Sequence, residues 1–282
     1  MSTPVPIHAG PQRSDIILPP DNLETGVPLV NLETPVVFLH GFLGRGADWD
    51  ALRRRFPSRP THAPDLPGHG ATPLRPGRQS YAAWVSWLAD WLDARCLKRV
   101  HLVGYSLGGR VALAFALAHP QVVVSLTLES ANPGLREPQA RAERARLDAA
   151  RADLIRRKGL RNFLESWYRL PLFASLDAHP GLREALITRR SQQNAEDMAR
   201  VVAEMSPGQQ PDLTPRLAEL SMPVLLVTGE RDPKYPQRLR EMARRVPHAR
   251  LVIVPQAGHN VHLEAEHAFG RLLLDFWAAT EP

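Results

Sequence analysis

The stretch Val100-His101-Leu102-Val103-Gly104-Tyr105-Ser106-Leu107-Gly108-Gly109-Arg110 constrains this chain more than any other. A short β-branched apolar run passes straight into Val111 to Ala118, a good helix former ended by His119-Pro120, with no residues to spare for a loop. Gly104, Ser106 and Gly108 fit G-x-S-x-G, in which a serine on a strained strand-to-helix turn stays exposed while flanking glycines relieve the crowding around it. The competing interpretation is a plain tight turn. A buried strand feeding directly into a helix favours the nucleophile elbow, and with it a parallel sheet whose ligands gather at the carboxyl ends of the strands.

The rest of the chain repeats the strand-helix alternation. Pro35 to Gly41 predicts a buried strand ending in His40-Gly41, followed by the loop Phe42 to Gly46 and a short helix near Asp48. Thr61 to Asp65 predicts a second strand, running into the turn cluster Leu66-Pro67-Gly68-His69-Gly70. Tyr81, Trp84, Val85, Leu88 and Leu92 recur at helical spacing, which places the tryptophans in the core. A strand follows the elbow helix at Val122 to Leu128. From Glu137 to about Gln210 the pattern is helical, heavily charged and broken by Gly159, Pro171, Pro180-Gly181 and Pro207-Gly208. Alternation resumes with a strand at Pro223 to Gly229, a helix from about Pro236 to Arg245, a strand at Leu251 to Val254 and a last helix from about Glu264 to Ala279. The expected architecture is α/β: a mostly parallel sheet with helices on both faces, its core formed by residues 35–133 and 211–282, with a helical lid inserted at 134–210. Residues 1–34 form a partly ordered extension in which Ile16 to Leu18 and Val27 to Val30 suit an edge hairpin.

Composition narrows the setting. The single cysteine, Cys96, excludes an internal disulfide and suits a reducing compartment; its apolar helical surroundings predict burial. No run reaches the roughly 18 apolar residues of a membrane span, and Pro4, Pro6, Pro11 and Asp15 interrupt the place of a signal-peptide core, so a cytoplasmic protein without membrane insertion is expected. The net charge of +6 is carried almost entirely by arginine, which fits polyanions or anionic substrates. Arg53 to Arg55, Arg156 to Lys158 and Arg244-Arg245 read as solvated helix faces, because no interleaved aromatics or groove-reading motif accompanies them; no nucleic-acid partner is expected.

A serine hydroxyl is a weak nucleophile and base at neutral pH, so Ser106 needs a histidine to take its proton and a carboxylate to orient that histidine. Asp232, after the strand ending in Thr228-Gly229, and His259, in Ala257-Gly258-His259-Asn260 after the strand ending at Val254, occur in the required chain order. Asp65, His262, His40 and His69 compete for these roles, and structural turn residues are the alternative for both. Developing charge on a substrate oxygen needs two aimed amides; those of Leu107, directly after the serine, and Phe42, after His40-Gly41, are the candidates. No His, Cys and carboxylate cluster has metal-ligand spacing, and no glycine-rich loop matches a phosphate cradle, so neither metal nor cofactor is implied. Arg110 lies one helical turn past Ser106 on the same face. A guanidinium there stays charged and calls for an anionic partner, either an internal acid or a substrate carboxylate.

Several motifs together resemble the synthases of 2-succinyl-6-hydroxy-2,4-cyclohexadiene-1-carboxylate (SHCHC) of menaquinone biosynthesis. They are His40-Gly41-Phe42-Leu43-Gly44 with Asp48-Trp49, Asp65 to Gly70, Gly104 to Arg110, Arg141-Ala142-Glu143-Arg144, Trp167-Tyr168 with Pro171 and Phe173 to Leu176, Gly229 to Asp232 with Lys234, and Ala257 to Asn260 with His262. The sheet motifs fit many α/β-hydrolases, whereas Arg110 and the lid motifs single out this family. The resemblance implies an α/β-hydrolase fold performing a lyase reaction, in which a proton is abstracted from a cyclohexene tricarboxylate and pyruvate is expelled. It further implies that Arg110, Arg144 and Arg190 hold carboxylates, with Arg189 the alternative to Arg190, and that Tyr105 and Trp167 line the pocket. A carboxylesterase or C–C bond hydrolase would use the same three side chains through an acyl-serine, and a non-catalytic binding module on a hydrolase fold is the remaining interpretation.

Overall fold

The computed structural model describes residues 34–281 together with the two-residue strand at 16–17. The strands are β1 (Ile16–Ile17), β2 (Val36–Leu39), β3 (Thr61–His62), β4 (Val100–Tyr105), β5 (Val123–Glu129), β6 (Val224–Gly229) and β7 (Ala249–Val254). They form one sheet in the order β1-β7-β6-β5-β4-β2-β3, and each neighbouring pair is parallel. The helices are α1 (Asp50–Arg53), α2 (Tyr81–Asp93), α3 (Leu107–Ala118), α4 (Pro138–Trp167), α5 (Leu182–Arg190), α6 (Ala195–Glu204), α7 (Tyr235–Ala243), α8 (Val261–Glu264) and α9 (Glu266–Ala278).

The two-residue period of the strands divides the core. Val37, Leu39, Leu102, Leu126, Leu128 and Leu226 face a layer containing α2, α3 and α7, whereas Val36, Phe38, Val103, Leu225, Val227 and Val252 face Trp49, Leu52 and the α9 side chains Phe269, Leu273 and Trp277. All four central strands are buried throughout, and β2 and β6 are almost continuously apolar, as suits strands covered on both faces, whereas β5 alternates Leu126 and Leu128 with buried Ser125, Thr127 and Glu129. Register brings the carboxyl ends to one rim: Leu39 pairs with Gly104, Tyr105 with Glu129, and Gly229 with Val254.

Between β5 and β6 the chain leaves the sheet for α4, α5 and α6. Helix α4 kinks at Gly159, where φ is 77°. Met198, Val201 and Val202 of α6 are buried in the same apolar cluster as Ile155, Phe163 and Leu164 of α4, so the insertion is joined to the main core.

Several expectations are corrected in detail. The strand predicted over Thr61 to Asp65 stops at His62, because the Asp65 carboxylate is committed to the amides of Gly46 and Ala71. The final helix runs over Glu266–Ala278, close to its expected span, and is preceded by the short α8, which was not expected. Cys96 is exposed: α2 ends at Asp93, and Cys96 follows in a tight left-handed turn (φ 56°) that takes it off the buried stripe. Of the expected edge hairpin, Ile16–Ile17 pairs with Val252–Ile253 of β7, while Val27 to Val30 lies outside the described residues.

The elbow is tightly packed. Ser106 adopts φ 51°, ψ −107°, a conformation costly for an L-residue and held here by the elements on either side. A Cβ on Gly104 would stand 2.6 Å from the Gly108 carbonyl oxygen, and one on Gly108 would collide with the carbonyl oxygens of Leu39 and His40. Gly108→Ala should therefore destabilise the fold by about 3 kcal/mol, since backbone oxygens cannot rotate aside as side chains do. Urea unfolding compared with the parent protein measures this.

Candidate active site

Ser106, Asp232 and His259, far apart in the chain, meet at the carboxyl rim of the sheet. His259 Nδ1 donates to Asp232 Oδ2 at 2.6 Å, and His259 Nε2 lies 3.3 Å from Ser106 Oγ. With the Nδ1 proton given to the carboxylate, Nε2 is left to accept from the serine. Asp232 Oδ1 accepts from the amides of Lys234 and Tyr235, both at 2.9 Å. Burial pushes the Asp232 carboxyl up, but the hydrogen bond and charge of His259 and the two amides outweigh it and hold the group below its ordinary value. The loop carrying His259 is pinned from beneath by Glu264, which accepts from the amides of Gly258 (2.9 Å) and Asn260 (3.1 Å).

The competing residues are otherwise engaged. His262 donates through Nδ1 to buried Glu129 at 2.8 Å and packs 4.3 Å from the ring of Trp49. His40 accepts the Leu66 amide at Nε2 (2.9 Å) and donates from Nδ1 to the Gly41 carbonyl (2.8 Å). His69 accepts the Leu43 amide at Nε2 (3.2 Å) and contacts the Pro67 carbonyl through Nδ1. Burial lowers the pKa of both rings, so they are neutral struts. They brace the loop that presents the Phe42 amide. A Cβ on Gly41 would lie 2.5 Å from the Tyr105 ring, so only glycine lets that loop approach the elbow. Neither the Phe42 nor the Leu107 amide has a hydrogen-bond partner among the described residues.

A cavity of about 500 Å³ opens above Ser106 and His259, with Phe42, Tyr105 and Trp167 in its walls. Six cations line it, Arg110, Arg144, Arg151, Arg190, Lys234 and Arg238, against two acids, Glu143 and Asp148. Arg110 is only 7% exposed, and its guanidinium donates to the Tyr81 hydroxyl and, at 3.1 Å, to the Met205 carbonyl. Of the two partners expected from sequence, an internal acid or a substrate carboxylate, no internal acid pairs with Arg110 among the described residues: neutral oxygens hold the group. Burial, only partly offset by the Arg110 charge, pushes the Tyr81 hydroxyl up to about 12, so this partner stays neutral.

The other two expected arginines do meet internal acids. Arg144 Nε donates to Asp148 at 2.7 Å. Arg190 donates to the Tyr168 hydroxyl and to Asp48 at 3.1 Å. Burial alone would lower the pKa of Arg190, but Tyr168 and Asp48 hold it above its ordinary value. Of the pair at 189–190, Arg190 lines the cavity; Arg189 is half-exposed and reaches Asp48 from outside it. Asp148 and Arg151 of the cavity lining, and Asp48, Tyr81 and Tyr168 as partners of its arginines, were not singled out from sequence, although Arg144, Asp148 and Arg151 stand at i, i+4 and i+7 of one helix, a stripe readable in advance. Elsewhere in the insertion, Arg156 with Glu196 and Arg161 with Glu184 form exposed ion pairs. Among the described residues no group of three or more His, Cys, Asp or Glu side chains is placed to hold a metal ion, and no helix is long and apolar enough to cross a membrane.

The sequence pattern of the alpha/beta hydrolase family matches residues 36–272. A putative SHCHC synthase of Bacillus subtilis (strain 168) is 39% identical over 249 residues, spanning 87% of this chain and 91% of that protein. The chain belongs to the SHCHC synthase family of α/β hydrolases. The SHCHC synthase of Serratia proteamaculans (strain 568) is 37% identical, covering 86% of this chain and 92% of its own length. In three dimensions, MenH from S. aureus superposes with a TM-score of 0.85 at 31% identity, covering 90% of this chain and 97% of the other.

Because the folded Asp232 carboxyl lies below its unfolded value, the folded state binds fewer protons between the two, and its stabilising contribution is complete above the ordinary value of 3.8. It is lost as pH falls from there through the folded value. Asp232→Asn should accordingly show a shallower loss of stability below pH 4 than the parent. Thermal melts across an acid pH series give the two slopes.

Proposed function

We propose that this protein eliminates pyruvate from 2-succinyl-5-enolpyruvyl-6-hydroxy-3-cyclohexene-1-carboxylate to give SHCHC, with Ser106, His259 and Asp232 as its catalytic residues. The observation that carries this reading is Arg110: a buried guanidinium one turn beyond the serine, held by a tyrosine and a carbonyl and lacking an acid. A pocket for neutral esters gains nothing from such a charge, whereas a substrate with three carboxylates neutralises it. The likeness to proteins named for this reaction points the same way.

The chemistry follows from the difference between substrate and product. Ser106, relaying its own proton to His259, removes the ring proton beside the succinyl ketone, and the electron pair moves onto the ketone oxygen as an enolate. The amides of Phe42 and Leu107 receive that oxygen, being free of other partners and fixed by the braced loop and the elbow. Collapse of the enolate through the neighbouring double bond shifts it around the ring and breaks the bond to the enolpyruvyl oxygen. This leaves a 2,4-diene. Pyruvate departs as its enol form, taking up the proton carried by His259. Asp232 keeps the imidazole oriented and offsets its charge while it holds that proton.

Arg110, Arg144 and Arg190 hold the substrate carboxylates, because guanidinium–carboxylate contacts are directional as well as strong. Tyr105 and Trp167 supply the apolar walls. In this reading the helices of residues 134–210 act as a lid on a core of 35–133 and 211–282. Each step is assigned to a side chain or an amide, with no cofactor, and the partner is a small tricarboxylate rather than nucleic acid. A cytoplasmic location suits the lone thiol of Cys96.

Ser106→Ala should lower pyruvate release from the enolpyruvyl precursor by about a thousand-fold or more while the fold melts as before. Turnover near that of the parent would remove the serine from the mechanism. Efficient hydrolysis of a chromogenic ester by the parent, with no pyruvate from the precursor, would instead favour a carboxylesterase.

A further inference from the structure

We propose that Arg151 is a further substrate-binding residue, and that Asp148 sets Arg144 and Arg151 as one paired-guanidinium subsite for a single substrate carboxylate. The proposal rests on the reading above. The three side chains lie along one stripe of α4, and Asp148 is fully buried between the two arginines. Arg144 Nε donates to its Oδ2 and Arg151 Nη1 to its Oδ1, both at 2.7 Å, while the Ser206 hydroxyl donates to Oδ2 at 2.6 Å. Every partner of this carboxylate is a donor, so both of its oxygens are fixed, and each guanidinium keeps further N–H groups for a ligand. All three residues line the cavity above Ser106.

Charge decides what the cluster can bind. Arg144 with Asp148 alone is a neutral pair, with little to offer another carboxylate. Arg151 makes the set cationic by one unit, which one carboxylate neutralises. The Arg151 guanidinium is also held 4.9 Å over the Trp167 ring, a cation–π contact that orients it toward the pocket wall and spares it the loss of side-chain freedom on binding. The cluster at Asp48 differs: its second arginine, Arg189, stands outside the cavity, and Tyr168 already takes an N–H of Arg190.

The test compares the parent, Arg151→Gln and Arg151→Lys with the enolpyruvyl precursor and its three monomethyl esters, following pyruvate release, with melting curves run on each protein. Arg151→Gln should raise KM for the precursor about 10- to 100-fold and change kcat much less; Arg151→Lys, which keeps the charge but not the fork, should recover part of the loss. The penalty for esterifying one particular carboxylate should be large for the parent and nearly absent for Arg151→Gln, a coupling that a merely structural role would not produce. The proposal is overturned if Arg151→Gln penalises all three esters as the parent does, or if both variants retain the parent KM. Failure of the parent to release pyruvate from the precursor would overturn the functional reading first, and this one with it.

Discussion

The backbone of Gly108 lies against the carbonyl oxygens of Leu39 and His40, and that contact sets the site. It brings the amino end of α3 hard against the end of β2, which forces Ser106 into its left-handed turn and lifts the hydroxyl clear of the sheet. It also places the Leu107 amide beside the loop bearing Phe42, because that loop continues directly from the strand that α3 touches. His40 and His69 secure the same loop from the other side through the amides of Leu66 and Leu43. One close backbone approach thus positions the hydroxyl and both candidate oxyanion donors, leaving His259 and Asp232 to be supplied by β6 and β7.

The pocket follows a second rule, in which acids set the direction of arginines without cancelling them. Asp148 serves two guanidiniums, and so does Asp48; Arg110 is served by none. Buried carboxylates give the arginines a fixed geometry, and the shortage of carboxylates leaves a net positive field inside a low-dielectric space. Such a field favours a multiply charged anion over a neutral ester, independently of the fit to any one group.

Local periodicity made the sheet legible: apolar β-branched runs at 36–39, 100–105 and 224–229 have few other uses, and chain order combined with a place directly after a strand favoured Asp232 and His259 over Asp65 and His262. Other parts depended on contacts between distant segments. Nothing near Arg110 in sequence announces that Tyr81, from α2, and the Met205 carbonyl, from the end of α6, are its partners. The bracing roles of His40 and His69 likewise depend on two loops closing on each other. Cys96 misled because helical periodicity was carried past Asp93, where a left-handed residue had already turned the chain. The choice between Arg189 and Arg190 as a cavity residue turns on helix phase, which sequence leaves open by one residue and burial resolves.

The uncompensated charge of Arg110 has a consequence for the molecule's heat resistance. Holding a largely buried guanidinium without an acid beside it opposes folding, a deficit that an anionic ligand removes when it binds only the native form. On the proposed function, a mutational drift toward greater thermal endurance would replace this residue with an apolar one, hardening the protein while erasing the carboxylate binding proposed for it. On that reading, the arginine there marks a compromise between durability and recognition.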